Sequence, residues 1–527
     1  MTFLEITKKI GSVSNWKKIT LGAAACLLAG LGILILTSRS IDTRELHLYG
    51  ALNDQISYIN MARSLADKHE LRTYVVLPAT LWRKNVSDVL YMPGHSATLA
   101  VVYKLFGVGP FQSILPSLIS YLVAMVAIYL IGLRLYGMWA GLVAAFLLAV
   151  LPAAIFFSFT AMSELTFVAA FTAAVAGCLY LPPRLRPWLG PFLIALPFLF
   201  RETAAFAVIP LGLFFWLERR EKRWRAVVFV ALAVVLMVAI FRADFAARRP
   251  SMLKAHIFGN THAMYDDALA QQAASQVTWR DWIRVLPGRT VNNVKDLVTN
   301  PEYVPGTAVT TYAVLAMMLL VLLIAITRRD KFALSVTLLN LSILAITLVF
   351  VSVNGYRGVR YFLFAYALDV VVVGWLLVSW FGRITNAMPK RRLLMSVAAI
   401  VIAGLLAGSS LWEVRHMYAF FADQDGIDRK MATVLEGLNI DRSRMLVTSF
   451  ECTRYRYDHF PTLWAMLPYN EPTLDLLTAR YSVGTIIIPY GHPLIENPAK
   501  FESLGFYQDK VLPIDHDVYV VYRKGKS

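Results

Sequence analysis

The stretch WLGPFLIALPFLFRETAAFAVIPLGLFFWL, residues 188–217, is apolar throughout except for Arg201, Glu202 and Thr203 near its middle. Threaded through a bilayer as one helix, it would hold two charges near the centre at a cost of several kcal/mol. Both flanks are basic: Arg184 and Arg186 precede it, and Arg219, Arg220, Lys222 and Arg223 follow it. Lys and Arg gather on the cytoplasmic side of membrane proteins, so like flanks imply a return to the side of departure. The stretch therefore reads as two short spans, or a hairpin, with Arg201–Glu202 at the far side.

Outward from it lie further apolar blocks: Ile19–Leu36, Ile114–Leu133, Met138–Phe157, Leu165–Leu181, Ala226–Phe241, Val309–Ile326, Phe332–Val353, Phe362–Trp380 and Leu393–Trp412. Each is close to the ~20 residues that cross a ~30 Å hydrocarbon core. The chain is 57% hydrophobic and only 16% charged, with a mean hydropathy of +0.56. Soluble domains carry about a quarter charged residues, so a soluble globular protein is excluded. The basic connections Lys17–Lys18, Arg134, Arg184–Arg186, Arg219–Arg225, Arg328–Lys331 and Lys390–Arg392 alternate onto one side. This predicts about eleven spans, with the N-terminus cytoplasmic and the C-terminus extracytoplasmic in a multi-pass cell (inner) membrane protein. Ala23–Ala25 sit at the wrong end of the first block for signal cleavage, so it reads as an uncleaved anchor. The net charge of +17 follows from the cytoplasmic basic bias rather than from nucleic-acid binding. The three cysteines, Cys26, Cys178 and Cys452, show neither a disulfide frame nor thiolate metal spacing.

Three large segments then face outward: 37–96, 242–306 and 413–527. The predicted organisation is a transmembrane catalytic domain over 1–412 and a soluble extracytoplasmic α/β domain over 413–527. In the latter, Arg444–Thr448, Val483–Pro489 and Val518–Tyr522 read as strands, and Ile427–Leu438 and Pro472–Tyr481 as helices. In 242–306, Met264–Ser275 and Trp279–Val285 read as helices.

Charge at outer span ends marks candidate chemistry. Asp54, Glu164, Arg201–Glu202 and the cluster Tyr356-Arg357-Gly358-Val359-Arg360-Tyr361 all fall on the outer side. Around Asp54, the positions Ile56, Ile59, Met61 and Leu65 predict an amphipathic helix resting at the interface. Asn53 or Asp54 also suits the start of that helix as a cap. Farther on, Pro93-Gly94 punctuates the loop and opens the next helix. The outer histidines His47, His95, His256 and His262 lack metal-ligand spacing, and no Gly-rich phosphate loop is present.

Taken in order, Asp54, Tyr58, Ala62 and Leu65, then Tyr91, Pro93 and Gly94, then Lys104-Leu105-Phe106-Gly107 resemble the first outer loop of the GT-C glycosyltransferases. The branch is that of the protein O-mannosyltransferases and the lipid A aminoarabinose transferase. Ser163-Glu164, Arg201 and Arg360-Tyr361 also match this pattern, which covers about Thr37–Trp412. The resemblance implies an inverting transfer of a sugar from a polyprenyl-phosphate carrier to an acceptor hydroxyl on the outer, periplasmic face. Asp54 would be the catalytic base. Arg201, Arg360 and Arg357 would hold the lipid phosphate, with Tyr361, Glu164, Tyr58 and Tyr91 as further substrate-binding candidates. The acceptor is a lipid, glycan or protein. No metal site is predicted, although a divalent ion bridging Asp54 and the lipid phosphate stays open. Family members often place Asp-Glu or Gly-Asp where this chain has Asn53-Asp54, so a single carboxylate is expected here. Two other classes compete: a secondary transporter or flippase, which calls for charges at mid-span and repeated halves, and a non-catalytic envelope scaffold.

Overall fold

The computed structural model describes residues 13–40, 54–72, 74–76, 92–217, 223–241, 331–354, 363–387, 392–448, 452–461, 463–468, 471–514 and 517–525, with scattered positions between 287 and 327. Apart from those positions, segment 242–306 and the candidate span 309–326 lie outside the described residues, as do Tyr91, Arg357, Arg360 and Tyr361.

The chain opens with α1 (Val13–Ser40), followed by α2 (Asp54–Lys68) and the short strand β1 (Val75–Val76). Apolar helices follow: α3 (Pro93–Phe106), α4 (Pro110–Tyr136), α5 (Met138–Ala149), α6 (Pro152–Ser158) and α7 (Glu164–Tyr180). The 188–217 stretch lies within α8 (Arg186–Ala195) and α9 (Val208–Leu217); then come α10 (Arg223–Phe241), α11 (Lys331–Asn354), α12 (Leu363–Ala387) and α13 (Arg392–Gly437). Five described helices are long and apolar enough to cross a membrane, six if α5 and α6, bent by 63°, count as one. The polytopic helical reading holds. The described residues carry fewer spans than the expected total, part of which falls in 242–330.

Small residues bring these helices together, as is usual where lipid removes the hydrophobic drive between them. A Cβ on Gly132 of α4 would lie 2.5 Å from the Cα of Gly141 on α5. Gly137, at φ 100°, turns the chain between them, its N–H donating to the carbonyls of Gly132 and Leu133. A Cβ on Gly374 of α12 would meet the Ala140 carbonyl at 2.8 Å.

Residues 188–217 form the expected hairpin. Gly190 of α8 lies against Phe229, and Gly212 of α9 against Val230, the next residue of α10. Arms that touch α10 at one level fold back on each other, with Arg201 at the tip. Two 3-10 turns, Leu196–Leu199 and Glu202–Ala207, flank Arg201, whose backbone is extended at φ −154° and ψ 140°.

Beyond α13, the chain builds β2 (Met445–Thr448), α14 (Thr453–Asp458), β3 (Trp464–Met466), α15 (Glu471–Arg480), β4 (Val483–Pro489), α16 (Pro498–Ser503), β5 (Phe506–Ile514) and β6 (Asp517–Lys524). The sheet order is β1-β3-β2-β4-β6-β5. The first four strands run parallel, and β6 is antiparallel to both β4 and β5. Met445, Val447, Ile486 and Ile488 enter one core, and Leu446, Trp464, Ile487 and Val521 the other. Burial on both faces accounts for the Val- and Ile-rich strands. The edge strand β1 belongs to segment 37–96, pairing Val75 with Trp464 and Val76 with Ala465. Helix α13 runs unbroken across the composition change at 412–413.

Asp369 departs from the pattern of charge at outer span ends. It lies inside the expected span Phe362–Trp380, fully buried on α12, and among the described residues neither carboxylate oxygen finds a hydrogen-bond partner. Replacing it with Leu is expected to stabilise the detergent-solubilised protein by about 1–3 kcal/mol, read as a higher thermal midpoint. A lower midpoint would mean that the carboxyl serves a partner.

Candidate active site

Helix α6 stops at Ser158 and α7 begins at Glu164. The residues between them put non-helical backbone inside an apolar bundle, where unsatisfied N–H and C=O groups are costly. Side chains from three other helices satisfy three of them and bond the Ser163 hydroxyl. Gln55 Oε1 of α2 accepts from the Ala161 N–H at 2.8 Å, and His95 Nε2 of α3 bonds the Ala161 carbonyl at 2.9 Å. Ser117 Oγ of α4 donates to the Met162 carbonyl at 3.4 Å, and the Tyr58 and Ser163 hydroxyls lie 2.9 Å apart.

The Ala161 carbonyl can only accept, so the His95 proton sits on Nε2. Nδ1 of the neutral ring lies 3.0 Å from the Thr166 hydroxyl, whose one proton is shared with the Ser163 carbonyl at 2.9 Å. Burial pushes the imidazole pKa down to about 4, against a smaller upward pull from the Ala161 bond. The His95 ring meets Tyr58 edge-on, with centroids 5.0 Å apart. Pro93 opens α3, and a Cβ on Gly94 would stand 2.7 Å from the Leu199 carbonyl. The Pro-Gly pair thus does more than punctuate: it seats α3 directly on the turn that leads to Arg201.

That turn delivers the main electrostatic contact. Arg201 NH1 donates to Glu164 Oε1 at 2.7 Å; Glu164 is 2% exposed and Arg201 15%. The second Glu164 oxygen, Oε2, is buried and accepts no hydrogen bond among the described residues. As the first residue of α7, Glu164 also lies at the positive end of that helix. Asp54, half-buried, holds the equivalent position on α2. Tyr58 stands among all three charges. Burial raises its hydroxyl pKa, Arg201 opposes that, and Asp54 and Glu164 add to it.

The structure therefore brings Asp54, Tyr58, Glu164 and Arg201 together. Helix α2 is more enclosed than its amphipathic pattern predicts, with Gln55–Ala62 all buried in the protein. The tail domain covers it, with Arg63 NH1 donating to the Tyr457 carbonyl at 2.7 Å and its guanidinium 4.6 Å from the Phe460 ring. Gln55 and the neutral His95 are positioning residues that the sequence pattern did not single out. The one signal for His95 is its place directly after Pro93-Gly94. Among the described residues, no three His, Cys, Asp or Glu side chains converge to hold a metal. Of the two carboxylates here, Glu164 is engaged by Arg201 through one oxygen.

This unwound junction, with a carboxylate on the overlying loop helix and an arginine on a hairpin tip, sits in a fold similar to those of the solved membrane proteins ArnT and AglB. Residues 92–243, which include His95, Glu164 and Arg201, match the family described as dolichyl-phosphate-mannose-protein mannosyltransferase. ArnT from Cupriavidus metallidurans, in its apo state, superposes with TM-score 0.54 at 14% identity, covering 98% of this chain and 100% of that one. The same enzyme bound to undecaprenyl phosphate gives 0.52 at 13%, covering 95% and 97%. The archaeal oligosaccharyltransferase AglB from Archaeoglobus fulgidus, in complex with an inhibitory peptide and a dolichol-phosphate, gives 0.50 at 12%, covering 90% and 70%. No curated protein sequence matches the chain significantly.

Two predictions follow from this geometry. Arg201→Met should cost about 3–5 kcal/mol by stranding the buried Glu164 carboxylate, and adding Glu164→Gln should recover much of that loss. Thermal midpoints of the single and double variants in detergent check this; additive losses would contradict it. His95 titrates near 4 when folded and at 6.5 in its ordinary state. The unfolded chain thus binds more protons between those values, and stability should fall as pH drops from about 6.5 toward 4. His95→Gln should flatten that part of the profile.

Proposed function

We propose that the protein is a membrane glycosyltransferase that moves a sugar from a polyprenyl-phosphate carrier to an acceptor hydroxyl. The observation that carries this reading is the meeting of Asp54, Tyr58, Glu164 and Arg201, supplied by three separate stretches of chain. Further support comes from the solved relatives, ArnT with undecaprenyl phosphate and AglB with dolichol-phosphate and a peptide.

In this mechanism the Asp54 carboxylate takes the proton from the acceptor hydroxyl, a role worth ~10²–10⁴-fold in rate. The acceptor oxygen attacks the anomeric carbon from the face opposite the phosphate. The bond from that carbon to the phosphate oxygen breaks, and its electron pair leaves on polyprenyl phosphate, so configuration inverts. Arg201 stabilises the departing phosphate through charge-assisted hydrogen bonds. Glu164 holds the guanidinium in place, and Tyr58 ties α2 to the start of α7. By resemblance, Arg357, Arg360, Tyr361 and Tyr91 complete the donor site. A divalent ion, if bound, would be held by Asp54 and would supply charge stabilisation to the phosphate; an outward-facing site, an extracytoplasmic tail and a lipid, glycan or protein acceptor belong to the same proposal. The transporter reading draws on one observation, the buried Asp369 within α12.

The decisive assay incubates purified protein with synthetic polyprenyl-phosphate sugars and membrane extract, and follows release of polyprenyl phosphate by mass spectrometry. Wild type should release it, and Asp54→Asn should fall by at least ~10²-fold. Equal turnover by both would move the base elsewhere. Absence of sugar consumption by wild type would favour transport.

A further inference from the structure

A furrow runs down the membrane-spanning bundle between α1, α4 and α7. Its volume is about 570 Å³, within the ~300–1,000 Å³ typical of ligand sites. Small residues, Ala127, Ala176 and Gly177, make its floor, and Leu27, Val123 and Leu130 stand on its walls. The Tyr180 hydroxyl is the polar side-chain group in the lining, and it donates to the Leu130 carbonyl at 3.3 Å. From Ile119 to Leu130 the furrow follows α4 for roughly 16 Å at 1.5 Å per residue. A trough of this kind accepts a hydrocarbon chain.

The furrow is separate from the candidate active site. Ala173, Ala176 and Tyr180 fall on the face of α7 opposite Glu164 on a 3.6-residue helix. They also begin nine residues farther along it.

Its far end is basic. The Tyr129 hydroxyl donates to the Lys18 carbonyl at 2.6 Å, which sets Lys17 and Lys18 of α1 beside the end of α4 that carries Arg134. Arg134 Nε donates to the Leu179 carbonyl at 3.3 Å, next to Tyr180 of the lining. Lys17, Lys18, Arg134 and the following Arg184 are all exposed. Glu164, at the opposite end, is the sole carboxylate within 13–40, 110–136 and 164–186.

We propose that the furrow binds an anionic phospholipid, with an acyl chain along Ala127–Gly177 and its phosphate among Lys17, Lys18 and Arg134. The apolar trough supplies affinity for any acyl chain. The basic end selects a headgroup with net negative charge, because interfacial Lys and Arg attract anionic lipid. The site requires only that the bundle span a membrane, and it stands whatever reaction Asp54 performs.

Titrating the full chain in detergent with phosphatidylglycerol or phosphatidylcholine, by native mass spectrometry and thermal midpoint, tests this. Phosphatidylglycerol should bind at least about tenfold more tightly and raise the midpoint. The triple change Lys17→Gln, Lys18→Gln and Arg134→Gln should abolish that preference. Ala173→Trp should block both lipids, and it decides the matter alone should the triple variant fail to fold. Equal binding of the two lipids, or a preference surviving either variant, would overturn the proposal. Displacement of phosphatidylglycerol by polyprenyl phosphate would give the furrow to the carrier instead. Disulfide-linked dimers formed through Ala173→Cys would give it to a second copy. Both outcomes also overturn it.

Discussion

The backbone between Ser158 and Glu164 is the constraint on which the rest depends. A chain that leaves helical geometry inside an apolar bundle must find partners for its peptide groups, since lipid offers none. Here they come from Gln55, His95 and Ser117, with Tyr58 bonding the Ser163 hydroxyl. These bonds tie three different helices to one short segment. The break is thus a junction where α2, α3, α4 and α7 are held in register. It is also where α7 starts, so the same bonds that satisfy the peptide groups aim Glu164 at Arg201.

A second consequence concerns the tail. Helix α2 lies above the junction and would expose its upper face if nothing covered it. Instead, β1 joins the sheet of the tail domain, and the Tyr74 carbonyl accepts from the Trp464 N–H at 3.0 Å. Arg63 extends the contact, one guanidinium bonding the Tyr457 carbonyl and lying against the rings of Tyr457 and Phe460. Asp54 therefore stands on a helix gripped from below by the bundle and from above by the tail. Catalytic geometry needs that kind of support, because a loop helix held on one side leaves its side chains loose.

Much of this was legible from sequence, and the limit has a physical cause. The hairpin at Arg201–Glu202 followed from the cost of charge at mid-bilayer and from like basic flanks. Most described spans followed from apolar length, and the strands at 445–448 and 483–489 from Val and Ile content. Asp54, Glu164 and Arg201 were singled out because charge beside apolar runs is rarely idle. His95 and Gln55 were not. Their partner, Ala161, lies 66 and 106 residues away in sequence, so no local period records the bond. Gly94 read as a turn signal, because the Leu199 carbonyl that forbids a side chain there is equally remote. The two-residue β1 is too short to alternate. Asp369 was hidden inside an otherwise convincing apolar run.

The charge distribution at the junction gives the candidate site its polarity. Glu164 is almost fully buried and Arg201 less so, so the pair presents its guanidinium toward the more open side. A carboxylate buried behind an arginine lowers the net charge of the site and fixes one guanidinium nitrogen. Asp54 adds a negative charge at the start of α2, one helical turn before Tyr58. An anionic leaving group drawn to Arg201 and a proton drawn to Asp54 would thus move toward groups on different elements. That separation suits a displacement in which bond making and bond breaking occur on opposite faces of one carbon. Tyr58, bonded to Ser163 and lying among all three charges, keeps the two halves at a fixed spacing.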